Sequence, residues 1–307
     1  MENRTEVRYF ILVGLTNDPG LQLPLFIIFL LIYTITLIGN LGLILLILLD
    51  SRLHTPMYIF LGNLSLVDFC YSSTVTPKVI AGFLTRDKIM SYNACASQMF
   101  FFAKFADVEN YLLASMAYDR YVAVCKPLHY ATTMTTRMCV SLLICCYICG
   151  FLNASIYTID ALSLSFCESN IVHHFFCDVL AVMMISCSDR HVNELILVYV
   201  ASFNIFFALI LIIISYMFIF INILKIHSAG GYRKALSTCA SHFTAVSIFY
   251  GTIIFMYLQP SSSHSMDMDE IASVFYTMVI PMLNPLVYSL RNKDVKNAFT
   301  TIILRSG

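Results

Sequence analysis

Residues 116–125 read Met-Ala-Tyr-Asp-Arg-Tyr-Val-Ala-Val-Cys and place an adjacent acid and base, Asp119 and Arg120, at the end of a long apolar run. A charged side chain at the centre of a bilayer costs roughly 2.5–3.5 kcal/mol on insertion scales, and less near the membrane edge. We therefore expect a charged pair at this position to have a functional role. The stretch therefore predicts a helix that ends at a membrane surface and carries a functional ion pair.

The composition of the whole chain also indicates a membrane protein. Its 307 residues are 59% hydrophobic and 12% charged, and soluble proteins carry about twice that charged share. The formal net charge is zero, which argues against nucleic acid as a partner. Residues 1–22 are mostly polar and the first apolar run is too long for a cleavable signal peptide, so we expect an uncleaved anchor.

Seven apolar runs follow one another, each near the roughly 20 residues that a helix needs to cross a bilayer. Lipid offers no partners to backbone N–H and C=O groups, so these runs are predicted to be helices. Their predicted bounds are Leu23–Leu49, Met57–Phe83, Ala96–Val124, Cys139–Ile159, Leu195–Leu224, Ala235–Leu258 and Ile271–Leu290.

The predicted fold is an all-α membrane protein, a seven-transmembrane helix bundle with a short amphipathic C-terminal helix. We expect one domain over residues 1–307, with an extracellular N-terminus at 1–22, the bundle at 23–290 and a cytoplasmic tail at 291–307. The short connections carry eleven basic residues on the side that holds the C-terminus and five on the other side. The richer side is predicted to be cytoplasmic.

The tail and the outer face carry further signals. In the tail, Val295, Phe299, Ile302 and Ile303 recur at helical spacing, as in a helix lying on the inner leaflet. Asn3 begins an N-glycosylation acceptor pattern at the predicted outside. Four of the eleven cysteines lie at the predicted outer face, where disulfides persist, and the sequence alone does not choose among their three pairings. They are Cys95, Cys167, Cys177 and Cys187.

Polar groups occur at membrane depth in four of the runs: Asn40, Asp68, Glu109 and Asn284. Intramembrane polar residues are functional hypotheses by default. If the helices are neighbours, these groups form a buried cluster whose oxygens suit a small hard cation or a shared proton. The alternative is a hydrogen-bond network that only holds the helices together.

Two further features favour a conformational switch. Arg120 cannot lose its proton and offers five donors, so it can bind Asp119 in one state and another acceptor in the next. The alternative is a fixed ion pair that marks the membrane edge. In the seventh run, Pro281 and Pro285 remove backbone hydrogen bonds and predict a kink beside Tyr288.

Small and polar side chains in the outer halves of the third, fifth and sixth runs predict a small-molecule pocket. Plain helix packing is the alternative for each of them. Asp107 is able to pair with an amine, although Lys104 lies three residues earlier and is able to neutralise it. The predicted lining residues are Phe102, Ala103, Ala106, Asp107, Asn110, Ala201, Asn204, Tyr250, Ile253, Ile254 and Tyr257.

The chain resembles the olfactory receptors, a branch of the rhodopsin-like (class A) G-protein-coupled receptors. Asp119-Arg120-Tyr121 and Asn284-Pro285-Leu286-Val287-Tyr288 match motifs of the wider family. Further motifs typical of olfactory receptors occur at the expected spacings over nearly the whole chain. They are His54-Thr55-Pro56-Met57-Tyr58, Leu64-Ser65-Leu66-Val67-Asp68 and Lys234-Ala235-Leu236-Ser237-Thr238-Cys239-Ala240-Ser241-His242.

The resemblance implies an odorant receptor that binds small, mostly apolar volatile molecules and activates the stimulatory olfactory G protein to raise cyclic AMP. It implies a multi-pass protein of the plasma membrane of olfactory neuron cilia, in contact with lipid. It pairs Cys95 with Cys177 and Cys167 with Cys187, and favours a sodium ion at the Asp68 cluster. The residues implied in coupling and switching are Asp119, Arg120, Tyr121, Tyr216, Asn284, Pro285 and Tyr288.

Other classes of protein are less well supported. No nucleophile–base set and no His-Glu-x-x-His motif appears, so no enzyme activity is predicted, and neither a metal centre nor a cofactor besides the sodium is expected. A small transporter would show internal repeats and paired interrupted helices, which the sequence lacks. A receptor for an amine or a peptide remains an alternative, and Asp107 is the residue that favours the amine.

Overall fold

The structure, a computed structural model, describes residues 7–16, 18–85, 87–167, 170–225, 229–257, 266–291 and 293–306. Its strands are β1 (Tyr9–Leu12), β2 (Ile89–Ser91) and β3 (Ile171–Val172). The helices of the described chain are α1 (Pro19–Leu49), α2 (Pro56–Thr85), α3 (Tyr92–Cys125), α4 (Tyr130–Thr133), α5 (Thr136–Leu162), α6 (Val179–Met184), α7 (His191–Leu224), α8 (Ala229–Tyr257), α9 (Met266–Val274), α10 (Ile280–Arg291) and α11 (Lys293–Ser306).

Each predicted run coincides with one long helix or, for the seventh, with α9 and α10 joined by a π-helical turn. The predicted fold class is therefore confirmed. In the described parts of the chain, four segments are both long and apolar enough to cross a membrane, namely α1, α5, α7 and residues Glu270–Ser289. The second and third runs contain buried charged residues, Asp68 in α2 and Glu109 and Asp119 in α3, which lower the mean hydropathy of these two helices.

Polar caps explain why several helices begin before the predicted apolar runs. The Asp18 carboxylate accepts from Gly20 N–H at 2.8 Å at the start of α1. Ser91 and Thr135 hydroxyls accept backbone N–H groups at the starts of α3 and α5. A side-chain acceptor satisfies a donor that the first turn leaves unpaired. These helices therefore extend beyond the lipid-spanning part to the nearest capping residue.

The seventh run changes from α-helix to a π-helical turn before its two prolines, whereas the predicted kink lay beside Tyr288, and α10 continues through both prolines. Phe275–Val279 form a π-helical turn just before Pro281. Pro285 has no N–H, so the Pro281 carbonyl lacks its helical donor, and Asn40 Nδ2 of α1 donates to that carbonyl at 3.0 Å. Gly39 permits this approach, because a Cβ atom at its position would lie 3.0 Å from Pro285 Cγ. At the predicted kink, α1 thus supplies the donor that Pro285 lacks.

A small sheet, which was not predicted, covers the end of the bundle near β1 that is expected to lie outside. We call this the outer end, and the opposite end the inner end. β1 pairs antiparallel with β2 and parallel with β3, in the order β2-β1-β3. Phe10 and Leu12 of β1 are buried against residues of α3 and α5. The strands are two to four residues long, too short to show a period of two, and this explains why the sequence analysis missed them.

Two disulfides join the outer loops to the bundle and to each other. Cys95 of α3 bonds to Cys177 with an S–S distance of 2.02 Å. Cys167 bonds to Cys187 at 1.97 Å. These are the pairings that the family resemblance implied. The sheet and the Cys95–Cys177 bond together tie β1, the outer end of α3 and the loop after α5 into one unit, which we call the outer cap.

The C-terminal helix α11 lies against the inner end of the bundle. Val295 and Ala298 are buried there, whereas Phe299 is 59% exposed. The predicted C-terminal helix is therefore present, with Val295 packed against the bundle and Phe299 facing away from the protein. The side chains of Ile302 and Ile303 lie outside the described part of the chain. Arg52, in the turn after α1, donates to Thr301 Oγ1 of α11 at 3.1 Å.

Candidate functional site

Three polar side chains from three helices meet in the middle of the bundle. Asn284 Nδ2 of α10 donates to Asp68 Oδ1 and Oδ2 of α2 at 3.2 and 3.0 Å, and to Glu109 Oε1 of α3 at 3.1 Å. Asp68 is fully buried, and Glu109 and Asn284 are almost fully buried. Three of the four predicted cluster residues are thus in direct contact. We call Asp68, Glu109 and Asn284 the carboxylate cluster.

Asn40 lies outside this contact. Its Nδ2 bonds to the Thr36 and Pro281 carbonyls, both at 3.0 Å, so it ties α1 to the kink of the seventh helix. Its Oδ1 is buried and has no hydrogen-bond partner in the described structure. The sequence analysis placed Asn40 in the cluster because helical spacing gives depth but not the direction of a side chain.

The carboxylate cluster carries more negative charge than its neighbours balance. Within the described residues, neither Asp68 nor Glu109 forms an ion pair with a lysine or arginine. An isolated charge in a medium without water is costly unless it is neutralised or paired. Two adjacent carboxylates sharing one amide donor can reduce that cost by sharing a proton or by holding a small cation. The donor set therefore fits either occupant.

At the inner end of α3, Asp119 has a partner that the sequence analysis did not name. Tyr130 of α4 donates its hydroxyl to Asp119 Oδ1 at 2.8 Å. Burial, followed by the nearby Asp119 carboxylate, raises the pKa of the Tyr130 hydroxyl, so it stays protonated and remains a donor. Asp119 Oδ2 and Arg120 Nε are both buried and unbonded in the described structure. This arrangement leaves Arg120 able to take another acceptor.

The next residue of the motif, Tyr121, belongs to an aromatic contact between α3 and α7. Its ring lies 5.8 Å from the ring of Phe218. The Lys126 ammonium lies 5.7 Å from the centre of the same ring. Tyr121 therefore packs towards α7, the helix that also carries Tyr216.

Tyr216 forms a three-helix connection through a buried histidine. Its hydroxyl lies 2.7 Å from His242 Nδ1 of α8, and His242 Nε2 lies 3.1 Å from the Leu113 carbonyl of α3. A carbonyl only accepts, so Nε2 carries a proton and Nδ1 of the neutral ring accepts the tyrosine O–H. We call Tyr216, His242 and Leu113 the histidine bridge. His242 was not predicted as a site residue.

Tyr288 lies between these two networks. It is fully buried in the inner core, and its hydroxyl has no hydrogen-bond partner among the described residues. Pro285 lies one turn earlier, against Gly39 of α1. A buried hydroxyl without a partner carries a desolvation cost, which a rearrangement of the inner helices would relieve by offering an acceptor.

The predicted pocket contains a chain of hydrogen bonds across four helices. Tyr250 of α8 donates to Asn110 Oδ1 of α3 at 2.6 Å, and Asn110 Nδ2 donates to the Asn204 carbonyl of α7 at 3.2 Å. Tyr111 donates to Asn204 Oδ1. Asn204 Nδ2 also lies 3.5 Å from the Tyr157 hydroxyl of α5. Five side chains, of which Asn110, Asn204 and Tyr250 were predicted, therefore connect α3, α5, α7 and α8.

The remaining lining residues occupy two different places. Phe102 stacks on Tyr71 with ring centres 4.8 Å apart and also contacts Phe176, whose ring centre lies 4.8 Å away. Ala106 packs beside this aromatic cluster. Ala103 and Ala201 pack instead in the apolar cluster beneath the sheet. Ile253 contacts the inner core, and the side chains of Ile254 and Tyr257 lie outside the described structure.

Asp107 does not lie with the Asn110 side of α3. Its carboxylate lies near the Asn153 amide of α5, and both Asp107 Oδ2 and Asn153 Nδ2 are buried without hydrogen-bond partners in the described chain. Lys104 contacts the faces of Phe101 and Phe105 at 5.9 and 5.3 Å. Helical spacing predicted that Asp107 and Asn110 share one face of α3. That face is wide enough for Asp107 to point to α5 while Asn110 points to α7 and α8. The amine alternative loses its main support.

Comparison with known proteins identifies the family. A family model described as olfactory receptor matches residues 29–306. The chain belongs to the olfactory receptor family. It is similar to human olfactory receptor 5B3, with 73% identity over 303 residues that cover 99% of this chain and 96% of the relative. Human olfactory receptor 5B2 is 70% identical over 99% of both chains, and mouse olfactory receptor 5B21 is 62% identical over 99% and 96%.

Family membership gives the carboxylate cluster and the histidine bridge a context. This olfactory receptor is a membrane-spanning G-protein-coupled receptor for odorants. Its family is not an enzyme family, as the sequence predicted. The residues that sequence reasoning missed were visible in principle. His242 is the one histidine of the sixth predicted run, and the rule that marks intramembrane polar groups applies to it as it does to Asp68.

Proposed function

We propose that this olfactory receptor binds small, mostly apolar volatile molecules between α3, α7 and α8 and activates the stimulatory olfactory G protein, which raises cyclic AMP. The observation that carries the proposal is the bond from Tyr250 to Asn110, because it joins two helices at the pocket. Apolar walls with few polar groups suit small neutral ligands. An odorant that competes for this bond changes how α8 lies against α3.

The inner end supplies a route from that change to a G protein. α8 also carries His242, whose contacts with Tyr216 and Leu113 join the inner halves of α3, α7 and α8. We propose that the odorant favours a conformation in which the histidine bridge breaks and the inner ends separate. Arg120 and Tyr121 then face the opened cleft and bind the G protein, while Tyr288 gains a partner. This mechanism is a shift between two populated states.

We propose further that the carboxylate cluster holds a sodium ion or a shared proton in the resting state. Support comes from two buried carboxylates that have Asn284 as their shared donor. Asp68 and Glu109 would hold the ion, with Asn284 positioning both. The ion supplies positive charge that no described side chain provides there. Its presence favours the closed arrangement of α2, α3 and α10.

The receptor is proposed to lie in the plasma membrane of olfactory cilia, with its N-terminus outside and α11 against the lipid of the inner leaflet. The charge asymmetry of the connections, eleven basic residues against five, supports this orientation. Asn3, the proposed glycosylation site, lies outside the described residues. A single receptor domain over residues 1–307 remains the proposed organisation.

The test of coupling is cyclic AMP accumulation in cells that express the receptor with the stimulatory G protein, across a broad panel of neutral volatiles. Arg120→Ala is expected to abolish the response, and Tyr250→Phe to shift its concentration dependence. Arg137→Ala is the matched control, because Arg137 is an exposed cytoplasmic-side arginine. A full response from Arg120→Ala at equal surface expression would contradict the proposed role of that residue.

The cation proposal has a readout that needs no odorant. Purified receptor is unfolded by heat in sodium chloride and in choline chloride at equal ionic strength. Sodium at 100 times its Kd stabilises the folded state by about 2.7 kcal/mol, and Asp68→Asn or Glu109→Gln is expected to remove this difference. A melting temperature that is equal in the two salts would reject the ion and leave the shared proton.

A further inference from the structure

A cavity lies between β1 and the outer ends of α1 and α2, apart from the proposed odorant pocket. Its volume is about 250 Å³. None of the predicted odorant-lining residues belongs to its wall. The side chains that give it chemical character are Lys78, Asp87 and Lys88 on the polar side, and Leu12, Val79 and Phe175 on the apolar side. We call it the cap cavity.

The cap cavity has an apolar floor and a polar rim. Leu12, Val79 and Phe175 each expose less than a tenth of their surface, whereas Asp87 at the rim is exposed. Burying apolar surface is favourable at roughly 25 cal/mol per Å². The apolar residues of the cavity are therefore suited to a hydrocarbon chain, and the charged residues at its rim select the polar group of the ligand.

The rim carries two ammonium groups and one carboxylate. Lys78 Nζ donates to the Ile89 carbonyl at 2.8 Å and to Asp87 Oδ2 at 3.3 Å. Lys88 Nζ donates to the Val13 carbonyl. The Lys78 and Asp87 side chains are 26% and 56% exposed, and exposed pairs of this kind contribute little. A carboxylate from solution can therefore compete with Asp87 for Lys78. An amine would meet two like charges and one carboxylate, Asp87, that Lys78 already contacts.

The size of the cap cavity limits the ligand. Pockets for drug-sized molecules measure roughly 300–1,000 Å³, so this cavity admits only a small molecule. Gly82 of α2 lines the wall, and a Cβ atom there would meet only the Asp87 carbonyl oxygen, at 3.9 Å. The space beside Gly82 is open enough for a short hydrocarbon tail.

We propose that the cap cavity binds a small amphiphilic carboxylate, with its head on Lys78 and its tail against Leu12, Val79 and Phe175. This site is separate from the proposed odorant pocket and does not depend on it. Because the cavity wall includes both α2 and β1, an occupied site connects the outer cap to the bundle. The bound carboxylate thereby stabilises the outer end of the receptor.

The test measures binding to purified full-length receptor in lipid nanodiscs by isothermal titration and by saturation-transfer NMR. Three probes share one tail: hexanoate, hexan-1-ol and hexylamine. Hexanoate is expected to bind about tenfold more tightly than hexan-1-ol, since a hydrogen bond to a charged group adds that much. Lys78→Met is expected to reduce hexanoate affinity to that of hexan-1-ol, and Lys78→Arg to preserve most of it.

Two glycine variants locate the site independently of charge. Gly82→Leu places a side chain in the cap cavity and is expected to abolish hexanoate binding. Gly42→Leu is the matched control, because a Cβ atom on Gly42 of α1 meets nothing within 4 Å. Binding that survives both Lys78→Met and Gly82→Leu but disappears in Asn110→Leu would assign hexanoate to the odorant pocket and overturn the proposal. Hexylamine that binds as tightly as hexanoate would overturn it as well.

Discussion

At the outer end of the receptor, one disulfide joins α3 to the loop after α5, a second disulfide closes that loop on itself, and a three-stranded sheet joins the loop to β1 and β2. At the inner end the helices meet through single side-chain hydrogen bonds. The outer connections are covalent or repeated along a strand, so no single event releases them. The histidine bridge has two bonds, and each can exchange one acceptor for another. The difference suits a receptor whose outer cap stays fixed while its inner end changes partners.

The two ends also differ in what their connections join, because the outer links involve loops and strands whereas the inner links join helices. The Cys95–Cys177 bond and the sheet link segments far apart in sequence, including the N-terminal strand and the loop after α5. The histidine bridge links one residue from each of α3, α7 and α8 near their inner ends. A change in the tilt of α8 is therefore expected to break the inner contact first, because in the described structure only these side-chain bonds and one longer contact, from the Tyr216 hydroxyl to the Cys239 carbonyl at 3.5 Å, share the displacement there.

The largest expected effect tests the covalent part of the outer cap. Cys177→Ser removes a bond that spans 82 residues, and loss of the chain constraint is expected to lower the free energy of unfolding by about 4 kcal/mol. Cys187→Ser removes a bond that spans 20 residues and is expected to cost about 3 kcal/mol. Thermal unfolding of purified receptor checks both. A greater loss in Cys187→Ser would reject the idea that the α3 bond dominates the cap.

The carboxylate cluster lies between the two ends and should be next in effect. Asn284→Ala removes the donor shared by two buried carboxylates, at an expected cost of about 3 kcal/mol. Asn40→Ala is the comparison, because Asn40 donates only to neutral carbonyls, and its loss should cost about 1 kcal/mol. Denaturation of both variants in the same buffer gives the difference. Equal losses would show that the charges in the cluster do not matter.

The histidine bridge should be weaker still. A double-mutant cycle of Tyr216→Phe and His242→Phe keeps both rings and removes their hydrogen bond. Interhelical hydrogen bonds in membranes contribute on average about 0.6 kcal/mol and at most about 1.7 kcal/mol, so the coupling energy should fall within that range. Thermal unfolding of the four proteins provides the measurement. A coupling near that of a disulfide would contradict the view of this contact as a switch.

The smallest effect is expected at Asp87, on the rim of the cap cavity. The Ile89 N–H and the Lys78 ammonium lower the pKa of the Asp87 carboxyl below its usual 3.8. Its stabilising contribution is therefore complete above pH 4 and is lost as the pH falls through the lowered pKa. Because Asp87 is exposed, Asp87→Asn should leave the melting temperature at pH 7 unchanged within error. A clear drop would mean that Asp87 is a structural part of the cap.

The bundle and its kink were accessible from the sequence because lipid leaves few choices. Apolar runs of this length in lipid must be helices, and Pro281 and Pro285 each leave one carbonyl of the last helix without its helical donor. The direction of side chains was less accessible. Asp107 and Asn110 lie three residues apart, yet the structure directs Asp107 to α5 and Asn110 to α7 and α8. A small rotation of α3 about its axis decides between these outcomes, and no local pattern records it.

What the sequence determined by itself was the long apolar helices of the bundle and the family, because hydrophobic length, periodicity and motif spacing are local properties. The tertiary structure decided that Asn284 joins Asp68 to Glu109, that Asn40 serves the kink instead, and that Tyr216 meets His242. It also decided the sheet of the outer cap. These are pairings between distant segments, and they are set by how helices rotate and pack, which depends on the whole bundle at once.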